Sequence, residues 1–364
     1  MRTSFRLFRV MGISVEVHVV FLLLLLLVLL FTGLANFIFI FILFSIVLAH
    51  ELCHSVTAIL SGIPVPRIIL LPFGGLATIE LPENPITELK ISISGPLFNF
   101  FFAGVGFLLI KVLGLSLLSY NQVMDMLISG GINIFTPSYV LSLIVTSNLV
   151  LGVFNMLPAF PMDGGRVFRS VLALWMDYAR ATNIAGRVGQ LFSFLFIAVG
   201  ILSFNLWWIV IGLFLTYASS SEVKFVLVKH VFEGLTMRDI MSSRRMPVVD
   251  GSLSLKEFFD VIAKPDNRFY LVVNPDGSLH GVLDIHILSQ NAAVNSAQQV
   301  GSLARSVSSI ADGRVRVSDA MKQVVTEELT LVVDGNVVLG YVTPESFMES
   351  THFYSLRRSP SARA

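Results

Sequence analysis

The chain has 364 residues, of which 54% are hydrophobic and only 13% charged. Soluble domains carry roughly 25% charged residues, so a wholly soluble fold is set aside. The formal charge of +1 names no acidic partner and nucleic acid is not expected, while the single cysteine, Cys53, excludes an intrachain disulfide.

The N-terminal stretch MRTSFRLFRVMGISVEV is basic and then apolar. The run from Val17 to Leu30 has no convincing small-residue cleavage site, and further apolar runs follow, so it reads as the anchor of a first span rather than a signal peptide. A bilayer core takes roughly 20 apolar residues per helix. Six spans are expected, at 17–34, 37–61, 87–113, 137–158, 184–203 and 205–221, with Ser203-Phe204-Asn205 as a tight turn between the last two. Arg2, Arg6, Arg9, Arg67, Lys90, Arg166, Arg169, Arg180, Arg187, Lys224 and Lys229 then share one side, and the other side holds only Lys111 at a helix end. The positive-inside rule puts both termini in the cytoplasm. Glu16 and His18, at the start of the first span, read as interfacial structural residues. Between spans two and three, PVPRIILLPFGGLATIELPENP alternates around Gly74-Gly75 and reads as a β-hairpin on the cytoplasmic side. It either dips beside a site in the membrane or lies on the surface as a plain loop. Non-helical backbone at membrane depth must be buried in protein or line a wet cavity.

The chemistry concentrates in His50-Glu51-Leu52-Cys53-His54, midway along the second span. Residues i and i+4 share a helix face, so both imidazoles reach one metal ion. Glu51 is placed to take a proton from a water that a zinc ion activates. Ionisable groups inside a span are expensive and mark function, and a divalent cation compensates three of them. An open site needs a third protein ligand. Asp163 fits, in Asn155-Met156-Leu157-Pro158-Ala159-Phe160-Pro161-Met162-Asp163-Gly164-Gly165-Arg166 at the end of the fourth span. Spans two and four run in the same direction, so both polar groups fall in the cytoplasm-facing half of the membrane. Pro158 and Pro161 break helix hydrogen bonding there, and Gly164 and Gly165 allow close backbone approach. Taken alone, Asp163 also suits the cap of a following helix.

HELCH followed about a hundred residues later by NMLPAFPMDGG resembles the site-2 protease family of intramembrane metalloproteases, over roughly residues 10–220. PFGGLA is similar to that family's membrane-associated hairpin, and Ser94-Gly95-Pro96-Leu97-Phe98-Asn99 to its run on the third span. The resemblance implies one zinc ion per chain held by His50, His54 and Asp163, with Glu51 as general base. It further implies that Asn155, Asn148, Gly74 and Gly75 contact substrate; an asparagine also serves as helix–helix glue in a membrane, and for Asn148 both roles stand. Cys53 reads as a packing residue.

From about Leu235 the composition becomes that of an ordinary globular protein. Two units of similar element order, at about 236–292 and 300–350, carry hairpin turns at Asn274-Pro275-Asp276-Gly277 and Asp334-Gly335-Asn336. They resemble a tandem pair of cystathionine-β-synthase (CBS) domains. Such pairs often bind adenine nucleotides through Gly, two apolar residues, Ser or Thr, and Asp three positions on. Here Asp284 and Thr343 are the candidate contacts, but Ile287 and Ser346 stand where the carboxylate belongs. Nucleotide binding and a dimerisation or gating role therefore stand side by side.

The expected protein is a polytopic α-helical membrane protein with a membrane-associated β-hairpin and a cytoplasmic α/β tandem CBS domain. Its expected parts are a protease domain at 1–222, a linker at 223–235, the CBS pair at 236–350 and a disordered tail at 351–364. It is expected in the cell membrane as a homodimer, regulated by its CBS pair and cleaving membrane-anchored proteins within or near their spans. The competing reading is a metal or ion transporter with a CBS regulator.

Overall fold

The structure, a computed structural model, describes residues 4–72, 74–77, 83–129, 136–242, 246–290, 295–335 and 337–358. The chain divides into two units, Met1–Lys224 and Phe225–Ala364.

The first unit opens with a hairpin of β1 (Ser4–Val10) and β2 (Ile13–His18) that had not been expected. Met11 and Gly12 both have positive φ, 49° and 88°, as a two-residue turn with the twist of its flanking strands requires. β3 (Arg67–Leu71) runs parallel to β2, and β4 (Gly74–Ala77) antiparallel to β3, giving the order β1-β2-β3-β4. The hairpin expected around Gly74-Gly75 is therefore the outer half of a four-stranded sheet; Thr78 to Pro82 of that stretch lie outside the described residues. Ile13, Val15 and Val17 alternate along β2 and are buried.

The first helix, α1 (Val19–Thr32), is shorter than expected because Val17 and His18 complete β2. Nδ1 of His18 accepts from the backbone N–H of Val20 at 3.2 Å and caps the helix. Its 14 residues rise about 21 Å, against a hydrocarbon core of about 30 Å. Among the described residues, five helices are long and apolar enough to cross a membrane: α2 (Leu34–Leu60), α3 (Pro85–Val112), α5 (Pro137–Asn155), α7 (Tyr178–Leu202) and α8 (Leu206–Val231). Length thus supports five spans where six were expected. Two shorter helices complete the unit, α4 (Tyr120–Ser129) and α6 (Asp163–Leu172).

α3 is the central helix. Asn84 caps it, its side chain accepting from the N–H groups of Ile86 and Thr87 at 3.1 Å, and Pro85 occupies the first turn, where its missing N–H costs nothing. Its buried stripe of Ser92, Gly95, Asn99, Ala103 and Gly106 is made of small residues that let helix backbones come close in a membrane. The sheet packs through Ile13 and Ile68 onto Ala58 of α2 and Ile91 of α3. Many apolar side chains of the long helices face outward, among them Leu60, Val112 and Leu202.

The second unit contains the two expected copies. In the first, β5 (Val248–Asp250) runs parallel to β6 (Phe269–Val273), which pairs antiparallel with β7 (Leu279–Asp284). In the second, β8 (Ile310–Asp312), β9 (Thr330–Asp334) and β10 (Val337–Val342) repeat that order. The hairpin turns fall where expected, with Gly277 and Gly335 at positive φ; Asn336 lies outside the described residues. The leading helices are exchanged. Met237 and Ile240 of α9 (Met237–Ile240) pack against Val332 of the second sheet. Val300, in the short helix 300–303, packs against Val272 of the first. The expected linker and tail are corrected in part. α8 continues helical to Val231, and the last helix, Pro344–Arg358, covers the start of the expected disordered tail.

Candidate metal centre

α2 presents His50 and His54 one turn apart, both buried, toward α3. Each imidazole is fixed through its Nδ1. That of His50 lies 2.5 Å from Oδ1 of Asn99, and that of His54 lies 2.7 Å from the backbone carbonyl of Ile91. Asn99 turns its Nδ2 to Oδ1 of Asn148 at 2.9 Å, and Asn148 donates to the carbonyl of Ile144 at 2.9 Å. The amide chain has one consistent direction, so Asn99 accepts and His50 donates. Both imidazoles therefore carry their proton on Nδ1 and present the Nε2 lone pair, the form in which histidine binds metal.

The third group arrives on α6. After α5 ends at Asn155, the turn through Ala159 and Phe160 is buried and brings Asp163 into the first turn of α6. Gly164 and Gly165 make this approach possible. A β-carbon on Gly165 would stand 2.7 Å from the backbone of Ala159, and one on Gly164 would collide with the carbonyl of Leu157. Oδ2 of Asp163 lies 3.1 Å from Nε2 of His50 and 3.1 Å from Nε2 of His54, and the two Nε2 atoms are 3.0 Å apart. Among the described residues these three form the one cluster of three or more His, Cys, Asp or Glu side chains able to hold a metal ion.

The donor set fits zinc. Ligand atoms about 2.0–2.1 Å from one ion in tetrahedral array sit a little over 3 Å apart, close to what is observed. Two neutral imidazoles and one carboxylate leave a fourth position free. α3 keeps the space clear, because a β-carbon on Gly95 would stand 2.7 Å from Cε1 of His50 and collide with His54.

Glu51 sits beside the cluster, half-buried. β4 covers it, and a β-carbon on Gly75 would lie 2.6 Å from Cγ of Glu51. Of the other expected site residues, Asn148 has both ends of its amide engaged within the protein and supports His50 through Asn99. Asn155 closes α5 and is half-buried. Cys53 is half-buried and unpaired with another cysteine. Asn99 was not singled out from the sequence as a site residue, although the Ser94–Asn99 run that contains it was.

In the second unit, a cavity of about 360 Å³ is lined by Asp284, Arg305, Ser308, Glu327 and Glu328, with Val282 and Ile287 from the first copy. Asp284 reaches this cavity, but Arg268 holds its carboxylate at 3.1–3.3 Å and it accepts from the N–H of His286. Thr343 is not among the lining residues. It is buried and exchanges hydrogen bonds with Ser346 at the start of the last helix.

Residues 38–197 match the model of peptidase family M50. The chain is 31% identical over 363 residues to the zinc metalloprotease MJ0392 of Methanocaldococcus jannaschii, covering 98% of both chains. It is also similar to the solved site-2 protease from Methanocaldococcus jannaschii, with 32% identity, a TM-score of 0.43 and coverage of 60% of this chain and 95% of that one. The CBS domain of a bacterial CNNM/CorC family Mg2+ transporter is a further structural neighbour, with 16% identity, a TM-score of 0.30 and coverage of 36% and 82%. With similarity to a zinc metalloprotease over 98% of both chains and this convergent cluster of two histidines and an aspartate, the chain belongs to peptidase family M50, the site-2 protease family of membrane zinc metalloproteases.

Proposed function

We propose that the protein is an intramembrane endopeptidase, residues 1–222, that hydrolyses peptide bonds within or near the spans of membrane-anchored proteins. The observation that carries this reading is the convergence of Nε2 of His50, Nε2 of His54 and Oδ2 of Asp163 to within 3.1 Å of one another, next to the carboxylate of Glu51, which is not one of the three ligands. These three residues would hold one zinc ion, which when bound would supply a Lewis acid and bring the pKa of a water to about 7.

The remaining work falls to the chain. Asn99 and the Ile91 carbonyl keep each imidazole in the Nδ1–H form. Glu51 accepts a proton from the attacking water and returns it to the leaving amide nitrogen. A substrate helix must unwind before its carbonyl is accessible. β4 is the last strand of the sheet order and lies on Glu51, so its outer edge suits an unwound segment that pairs as a further strand. Gly74 and Gly75 then contact substrate backbone, and Asn155 is a further substrate contact.

Both termini are cytoplasmic in this reading, the bilayer is that of the cell membrane, and α1 is a sixth, short membrane-embedded helix. Residues 236–350 form a CBS pair that regulates cleavage and joins two copies of the chain. The repeated sheet topology supports the pair. An adenine nucleotide remains a candidate ligand of its cleft, where Arg268 engages Asp284 and Arg305 pairs with Glu328 at 2.9 Å. No observation favours a transporter, which needs no carboxylate beside its first metal-binding histidine.

Purified full-length protein incubated with a panel of single-span membrane proteins tests the proposal. Fragments whose masses map inside or beside the span, formed without chelator and not with it, are expected. Fragments that map only to soluble loops, or that form equally with chelator, overturn it.

A further inference from the structure

Beyond the metal cluster, the described residues of the first unit hold a second buried constellation of charge. Arg169 of α6 is only 2% exposed and Glu88 of α3 is 0% exposed. The Arg169 guanidinium donates to Oε1 of Glu88 through Nε at 3.1 Å and through Nη2. Its Nη1 donates to Oε1 of Glu222 on α8 at 3.1 Å. Two aromatic rings flank it, Phe160 at 4.9 Å and Tyr178 at 5.0 Å from Cζ. The Tyr178 hydroxyl donates to the second oxygen of Glu88 at 3.0 Å. Each of the three guanidinium nitrogens of Arg169 donates a hydrogen bond, in the planar, forked geometry that only arginine offers.

Of the two helices joined by this pair, α3 orients the histidines that α2 supplies and α6 carries the aspartate. α3 bears the groups that orient both histidines, at Ile91 and Asn99, on the same buried stripe as Glu88. α6 is a ten-residue helix whose first turn bears Asp163. Arg169 touches none of the three ligands. Phe160, which stacks on it, belongs to the buried turn that Gly165 packs against. A shift of α6 along α3 moves the Asp163 carboxylate relative to both Nε2 atoms, and the 3.0–3.1 Å triangle leaves little room for one.

We infer that Arg169 is a positioning residue for the zinc site, clamping α6 to α3 so that Asp163 meets His50 and His54 at ligand spacing. This rests on the metal reading proposed above. Outer groups that orient metal ligands typically account for about 10- to 100-fold in affinity, and the same range is expected here.

The test uses the full-length protein in detergent, with zinc affinity measured by competition against a chromophoric chelator and geometry by the visible spectrum of the cobalt(II)-loaded protein. Wild type is expected to bind one zinc. Arg169→Met is expected to bind zinc about 10- to 100-fold more weakly with an altered cobalt spectrum, and Arg169→Lys to fall between. Leu143→Ala, a buried change in α5 away from this network, serves as the control; it is expected to lower the melting temperature and leave both metal readouts unchanged. Wild-type affinity and spectrum in Arg169→Met overturn the inference, as does equal metal loss in Leu143→Ala. If Arg169→Met does not fold, Arg169→Lys decides, and wild-type metal readouts there overturn the inference. A wild-type protein that binds no zinc instead overturns the metal reading itself.

Discussion

His50 and Asn99, 49 residues apart, meet through a hydrogen bond of 2.5 Å between Nδ1 and Oδ1. The bond fixes the proton on Nδ1 and so frees Nε2 for a metal. Asn99→Ala removes that constraint and leaves a buried N–H without a partner. Zinc affinity is expected to fall about 10- to 100-fold, read by chelator competition. Asn148→Ala, one step further out, is expected to cost less. Equal or larger loss in Asn148→Ala would contradict the direction of the chain from His50 through Asn99 to Asn148.

Two glycines touch the site from opposite sides and predict opposite failures. Gly95→Ala puts a methyl group against both imidazoles, so the purified variant is expected to lose zinc, measured as metal per chain. Gly75→Ala pushes on Cγ of Glu51, which binds no metal. That variant is expected to keep its zinc and lose most of its cleavage activity. Loss of zinc in Gly75→Ala would mean that β4 supports the ligands rather than the base.

In the second unit, short helices are held by capping boxes. The backbone N–H and hydroxyl of Thr236 hold the Asp239 carboxyl below the ordinary range, and the hydroxyl and backbone N–H of Ser254 do the same for Glu257. A carboxylate whose folded pKa lies below its unfolded value adds stability above the unfolded value, about 4, and loses it as pH falls through the folded value. Thermal stability of this unit is therefore expected to be level above about pH 5 and to decline below about pH 4.5. Asp239→Asn combined with Glu257→Gln should lower the plateau and flatten the decline. Calorimetry of the full chain over about four pH units, from about pH 3 to about pH 7, checks both. An unchanged acid decline in the double variant would contradict the assignment.

What the sequence made legible was local or periodic. HELCH places two imidazoles on one face by helical spacing alone, and the Pro and Gly positions around Asp163 announced a break that the structure realises as the turn before α6. The duplicated second unit was readable from strand and turn order. The hairpin of β1 and β2 was missed although Ile13, Val15 and Val17 alternate, because basic and apolar residues before an apolar run also suit a span anchor. That strand consumes Val17 and His18, which is why α1 is short. Asn99 and Arg169 were missed for another reason. Each acts through a partner about 50 to 80 residues away, and no spacing rule encodes such a pairing. Arg169 was used only as a positive charge that reports orientation, whereas its burial against Glu88 makes it part of the architecture.

The most direct test of the central claim compares wild type with Glu51→Gln on one membrane-anchored, single-span protein that wild type cleaves. Zinc content and cleavage are measured on the same preparations. Both proteins should bind one zinc ion per chain, wild type should cleave only while zinc is present, and Glu51→Gln should leave the protein intact. Cleavage by Glu51→Gln at the wild-type rate, or by wild type stripped of zinc, would contradict the account.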